Sequence, residues 1–265
     1  MLSLVHKYFR LYLAFIRASF IADLEFRANF ILRLITDIFW YIAQIMTFES
    51  LYRHTNLIGA WNLEQTRIFL GVVFITDGLY MILFHDNLDR MSDRIRNGAM
   101  DLLLAKPISS QFMMSLSRVS TVLVGNLMVG TGYLIWAICK ASQFDFVRLL
   151  WLFILVPCGL ICFYSIRFFI ASTSIIFTRS ENLQYLWYQL YKLGLRPDSI
   201  YAPWLRVMLM TILPVSVIAS VPARFLLEPP NLWLLGWVVL LASLLLYGSH
   251  RFWNYCLRHY TSASS

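Results

Sequence analysis

The chain has 265 residues, 59% of them apolar and 14% charged, with a mean hydropathy of +0.65. That is more apolar surface than one soluble core of this length can hide, so an integral membrane protein is expected. The net charge of +8 is expected to serve membrane orientation and contact with anionic lipid, not nucleic-acid binding. A helix needs roughly 20 mostly apolar residues to cross the hydrocarbon layer with its backbone amides paired. Six stretches qualify, and the period-2 alternation of a membrane β-barrel is absent, so the expected fold is all-α with six transmembrane helices.

In chain order, residues 1–28 come first. Leu2, Val5, Phe9, Tyr12, Ile16 and Phe20 share one helical side and Lys7, Arg10 and Arg17 another, the pattern of an interfacial helix. Arg17 interrupts what could pass for a signal-peptide core. The first span is expected over 30–52 and the second over 68–84.

A polar region follows over 85–115. Within it the elbow RIRNGAMDLLLAKPISSQF (94–112) interleaves charges, runs through Leu102, Leu103 and Leu104, and meets Lys106-Pro107, where a helix should stop. Acidic Asp86, Asp89, Asp93 and Asp101 are mixed with the basic residues. A purely lipid-binding helix would favour basic residues alone, so the apolar ridge is expected to enter a groove on a soluble partner.

Spans three and four are expected over 116–139 and 149–171. The segment RSENLQYLWYQLYKLGLRPDSIY (179–201) is too polar for a span by composition. With Leu183, Leu186, Leu190 and Leu193 on one face, it suits an interfacial helix with aromatic anchors. A short fifth span is expected over 207–221, but Pro214 interrupts it and Pro222, Pro229 and Pro230 follow, so 220–231 is either a re-entrant element or an ordinary turn. The sixth span is expected over 232–247.

Four charges fall inside spans: Arg33 and Asp37 at i, i+4 in the first, Asp77 in the second and Arg167 in the fourth. Each would cost roughly 2.5 to 3.5 kcal/mol unpaired at mid-depth. They are expected to form an ion-pair network joining three helices, or to leave Asp37 or Asp77 facing a cavity that takes a cationic substrate. Trp40, Tyr41, Tyr80 and Phe84 would line such a path.

Orientation follows from lysine and arginine in the short connections. With the N-terminus inside, fifteen lie inside: Lys7, Arg10, Arg17, Arg27, Arg90, Arg94, Arg96, Lys106, Arg118, Arg179, Lys192, Arg196, Arg206, Arg251 and Arg258. Five lie outside: Arg53, Arg67, Lys140, Arg148 and Arg224. Both termini are therefore expected in the cytoplasm.

Two segments carry a family resemblance. IRNGAMDLLLAKPISSQF holds the pattern Arg96, Gly98, Asp101, Leu102, Leu103, Lys106, Pro107, and IYAPWLRVMLMTILPVSVIASVPARFLL (200–227) holds Tyr201, Pro203, Leu205, Arg206, Pro214 and Pro222. Together they resemble the membrane permease of bacterial type-2 ATP-binding-cassette (ABC) exporters, along nearly the whole chain. The resemblance implies six spans, an N-terminal interfacial helix, and short re-entrant helices between spans five and six. It also implies a cytoplasmic coupling helix after span two, formed by Arg94, Arg96, Gly98, Asp101, Leu102, Leu103, Lys106 and Pro107. The partners it implies are cytoplasmic ABC ATPase subunits that bind ATP and Mg, a second permease, identical or related, and the lipids of the bacterial inner membrane.

The chain itself has no GxxxxGK[ST] loop to cradle nucleotide phosphates, so it is expected to carry no cofactor and to hydrolyse no ATP. No HExxH pair occurs, and Cys139, Cys158, Cys162 and Cys256 lack metal or redox spacing. The expected function is export of a hydrophobic or cationic drug-like compound, with lipid, polymer precursor and peptide also open as cargo. The alternative is an ion-coupled secondary transporter using Asp37 and Asp77, although no internal repeat pairs the two halves.

Overall fold

The computed structural model describes residues 2–25, 27–141, 144–177 and 181–260. Among them it is mostly helical, with no strand. Helix α1, Leu2–Glu25, precedes α2, Arg27–Tyr52. Helix α3, Leu63–Tyr80, runs on through a π-helical turn at Met81–His85 into α4, Asp86–Asp89, and α5, Met91–Arg96. Next come α6, Ala99–Leu104, α7, Ser110–Leu116, and α8, Val124–Lys140. Helix α9, Leu152–Ser172, leads to α10, Glu181–Gly194, α11, Pro203–Thr211, α12, Ser220–Leu227, and α13, Leu232–Arg258.

Among the described residues, five helical segments are long and apolar enough to cross a membrane: Ile31–Tyr52, Leu63–Arg96, Thr121–Lys140, Phe146–Ile175 and Leu232–Arg258. The second runs past the expected 68–84 stretch, because the polar residues beyond it find partners on neighbouring helices. The bundle is organised by two long pairings, α3 along α8 and α9 along α13. One end, the elbow end, carries α1 and the elbow. At the far end, the loop between α2 and α3 meets the connections after α8 and α10.

The stretch expected as a fifth span is corrected by the structure. No helix runs through 207–221: α11 stops at Thr211 and α12 starts at Ser220. Pro214 lacks an amide hydrogen and the chain turns there, with Ser216 N donating back to the Leu209 carbonyl at 3.0 Å. The two short helices form a hairpin whose tip lies against small residues. A β-carbon on Gly159 would sit 3.0 Å from the Val217 carbonyl oxygen, and one on Gly194 2.9 Å from that of Val215. At the mouth, buried Asp198 pairs with Arg224 on α12 and, at 3.5 Å, with Arg206 on α11.

Helix α10 also departs from expectation. Its buried face is aromatic, Trp187 and Tyr191, whereas Leu183 and Leu186 are exposed. It starts near the elbow end, where Thr173–Ile175 after α9 packs on α5. It finishes near the far end, where Ser199 abuts Gly59 in the α2–α3 loop. Polar α10 therefore lies along the bundle, with Tyr191 level with the fifteenth residue of α3.

Helix α1 is fastened at two places. Near its start, Tyr8 accepts a hydrogen bond from Ser109 N at 3.1 Å and packs edge-on to Phe112. Near its end, Ser19 Oγ accepts from Val119 N at 3.0 Å, and Asp23 accepts from Thr121 N and Oγ1 at 3.0 and 2.7 Å. Asp23 thus satisfies an amide and a hydroxyl at the helical start that leads into α8. The basic residue Arg179 of the charge count lies outside the described residues.

Candidate functional site

A cavity of about 330 Å³ opens among α2, α3, α8, α9 and α10. Three of the four charges expected inside spans line it, Asp37 and Asp77 as carboxylates and Arg167 as a cation. Asp37 of α2 accepts from Asn126 Nδ2 of α8 at 2.6 Å, and Asp77 of α3 accepts from Tyr191 Oη of α10 at 2.8 Å. Each bond ties two helices together through a neutral donor.

The walls are aromatic. Phe163 of α9 stacks between Tyr80 at 3.8 Å and Tyr191 at 4.6 Å, centroid to centroid. Trp40, Tyr41, Trp187 and Tyr188 complete that surface. Tyr41 is itself held by stacking on Phe74 at 4.3 Å. Of the aromatic residues expected along a path, Trp40, Tyr41 and Tyr80 reach the cavity, while Phe84 packs against Tyr164 instead.

The expected network of Arg33, Asp37, Asp77 and Arg167 does not form, since no ion pair joins any two of them among the described contacts. Arg33 reaches Asp86 at 3.0 Å, and Asp86 continues to Arg118 at 3.5 Å and Arg118 to Asp23 at 3.4 Å. This ladder ties α1 and α2 to the polar extension of span two. Arg167 pairs with Asp89, which also meets His85 Nδ1 at 3.2 Å, and donates through Nε to Tyr80 Oη at 3.1 Å. The physical reason is reach: Asp86 and Asp89 were expected in a loop, but the helix continues and carries them to the arginines. The π-helical turn inserts one residue's worth of rotation at that point, a local distortion often found at functional sites.

Asn87 is a second residue that pattern reading missed. Fully buried, it donates to the Arg118 carbonyl at 2.6 Å and accepts from Arg118 N at 3.0 Å and Ser117 Oγ at 3.1 Å. Arg94 joins this hub, donating to Ser117 Oγ at 3.2 Å and Asn87 Oδ1 at 3.5 Å. Arg94 therefore braces the elbow from within and does not face outward.

In the elbow, Gly98 has φ +69°, a left-handed conformation that only glycine adopts without strain, and it breaks the chain between α5 and α6. Met100 is fully buried, and Leu103 and Leu104 pack against the same core. Leu102 is 73% exposed. The expected three-leucine ridge is thus a single outward leucine, because successive helical residues are about 100° apart and cannot share a face. Arg96, Lys106 and Pro107 are exposed, and Asp101 is half-buried. Lys7 Nζ touches the Pro107 carbonyl at 3.5 Å.

A family model described as ABC-2 family transporter protein matches residues 38–264. The chain belongs to this family. The ABC-2 match takes in the elbow, the hairpin and every cavity residue except Thr36 and Asp37, which precede it. Membership together with five membrane-length apolar helices makes this ABC-2 protein a multi-pass membrane component of a transporter. No curated protein and no solved structure shows significant similarity to it. A lone asparagine in the apolar run VLVGNLMVG is the sequence signal that could have marked Asn126. Tyr191 had no such signal, since it sits in a helix that composition sends elsewhere.

Proposed function

We propose that this ABC-2 protein is the permease subunit of an exporter, with the elbow end in the cytoplasm and ATP hydrolysed by partner ABC ATPases. The observation that carries the reading is the elbow in its family context: Gly98 turns out a short helix whose inner side is locked by Met100 and whose outer side offers Leu102 between Arg96 and Lys106. Six crossings follow when α10 is counted as the fifth, and α11–α12 then form a re-entrant hairpin between the fifth and the sixth. A second permease, identical or related, completes the path in a bacterial inner membrane, and both termini lie in the cytoplasm. The cavity is this subunit's part of the path, for a hydrophobic or cationic compound moving outward.

The mechanism follows from attachment. Nucleotide-driven approach of two ATPases would push on α6, and α6 packs through Met100, Leu103 and Leu104 on the same core as Leu88, Met91 and Ile95 of the polar extension of span two. Span two carries Asp77 and faces the cavity, so displacement at the elbow changes the cavity's shape. This requires the nucleotide-bound ATPases to favour one arrangement of the permease over the other.

Affinity purification of the tagged chain in mild detergent tests the docking surface. A P-loop ATPase should accompany the wild type and be lost, at least tenfold, with Leu102→Asp, while Leu244→Asn, a change on the exposed face of α13, leaves it bound. Equal recovery of ATPase with Leu102→Asp would move the docking surface elsewhere. Absence of any ATPase after cross-linking in membranes would favour the ion-coupled reading.

A further inference from the structure

We infer that the cavity is a recognition site for a hydrophobic organic cation, with Asp37 and Asp77 as the residues that set specificity for charge. The inference rests on the permease reading for its physiological meaning, but the site itself follows from the geometry.

The first argument is charge. Asp77 is only 7% exposed, and Tyr191 donates its one described hydrogen bond. Asp37 likewise accepts from the neutral amide of Asn126. The nearby cations are engaged with other acids: Arg167 with Asp89, Arg33 with Asp86. His85 also faces Asp89. Arg167, His85 and Asp89 line the same cavity but are held to one another, which leaves Asp37 and Asp77 with no ion-pair partner at membrane depth, where an unpaired acid is costly unless something arrives to neutralise it. A second orphan points the same way, since Asn126 Oδ1 is buried at the same wall without a partner.

The second argument is surface. The carboxylates sit among the faces and edges of Trp40, Tyr41, Trp187, Tyr188 and Tyr191. Aromatic faces attract cations and also accept apolar bulk. A bare metal ion would want several oxygen, nitrogen or sulfur ligands converging, and no cluster of three such acidic, histidine or cysteine residues exists among the described residues. The volume of about 330 Å³ suits a compact organic molecule. An aromatic or alkyl-wrapped ammonium, phosphonium or pyridinium ion meets all of these conditions.

The test uses the full chain with its co-purifying partners in lipid nanodiscs. Binding is measured by fluorescence for ethidium, an aromatic cation, and for Nile red, a neutral aromatic probe. Asp77→Asn and Asp37→Asn should each weaken ethidium binding about tenfold and leave Nile red within twofold, whereas Asp77→Glu, which keeps the charge, should retain most of the affinity. An asparagine variant that misfolds would lose both probes, in which case Asp77→Glu against Asp77→Gln decides by the same criterion. The inference is overturned if ethidium affinity is unchanged in the neutral variants or if wild type binds no cation. ATPase recovery from the same preparation separates the two readings: ATPase present without cation binding removes only this site, and cation binding without ATPase removes only the exporter role.

Discussion

Arg167 can stand on an apolar helix because Asp89 and Tyr80 meet its guanidinium within the bundle. Sequence spacing identified Arg33, Asp37, Asp77 and Arg167 as the charges needing partners, and that much was legible. The partners were not, because each lies on another helix and depends on how far span two continues. Removing one member of such a pair strands the other. Arg167→Met is expected to lower stability by about 3 kcal/mol, the low end of the range for buried pairs, since Asp89 keeps 38% side-chain exposure. Asp89→Leu alone should cost a similar amount. The double variant should recover at least half of the summed loss, read as a double-mutant cycle of thermal unfolding in detergent. Strictly additive losses would mean that the two residues do not support one another.

Among elements, the hairpin α11–α12 shows how proline and glycine act together. Pro214 stops the helix, and Gly159 and Gly194 provide the space in which the returning tip lies. Side-chain bulk at Gly159 must displace backbone, since Val217 O and Ile218 Cα lie 3.0 and 3.2 Å from a β-carbon there. Gly159→Leu should therefore cost about 1 to 3 kcal/mol by overpacking. Gly236→Leu on α13, where nothing lies within 4 Å, should leave the melting temperature unchanged or slightly raised, as leucine is the better helix former. Equal behaviour of the two variants would mean that the tip does not sit against α9. The prolines were visible in the sequence and so was the break, but the depth of the tip depends on contacts between segments about 20 residues or more apart.

The elbow was legible in outline. Its glycine, its proline stop and its mixed charge are local features, and Gly98 and Pro107 bound α6 as the pattern required. Which leucine faces outward depends on how α6 rolls against Leu88, Met91 and Trp253, and that is set by packing.

For the whole molecule, α10 decides the number of crossings. As an interfacial helix it would leave both of its ends on one side of the membrane; as a crossing it puts them on opposite sides. In a cysteine-free background, Asn182→Cys and Ile200→Cys, both at exposed positions, should be labelled by an impermeant maleimide from opposite faces of sealed vesicles. Labelling of both from one face would return α10 to the surface. A crossing would also adjust the charge count, moving Lys192, Arg196 and Arg206 to the outer side and leaving twelve basic residues inside against eight. The positive-inside bias survives but is weaker.

The sequence by itself determined that this is a helical membrane protein, where its strongest apolar spans lie, and which local breaks interrupt them, because apolar length, proline and glycine act within one segment. Only the tertiary structure decided that a polar helix packs along the bundle while a more apolar stretch folds back on itself. Neighbouring helices supply hydrogen-bond partners and cover that composition cannot reveal: Asp77 satisfies Tyr191 inside the bundle, and α9 and α10 shelter a broken backbone that lipid alone would not tolerate.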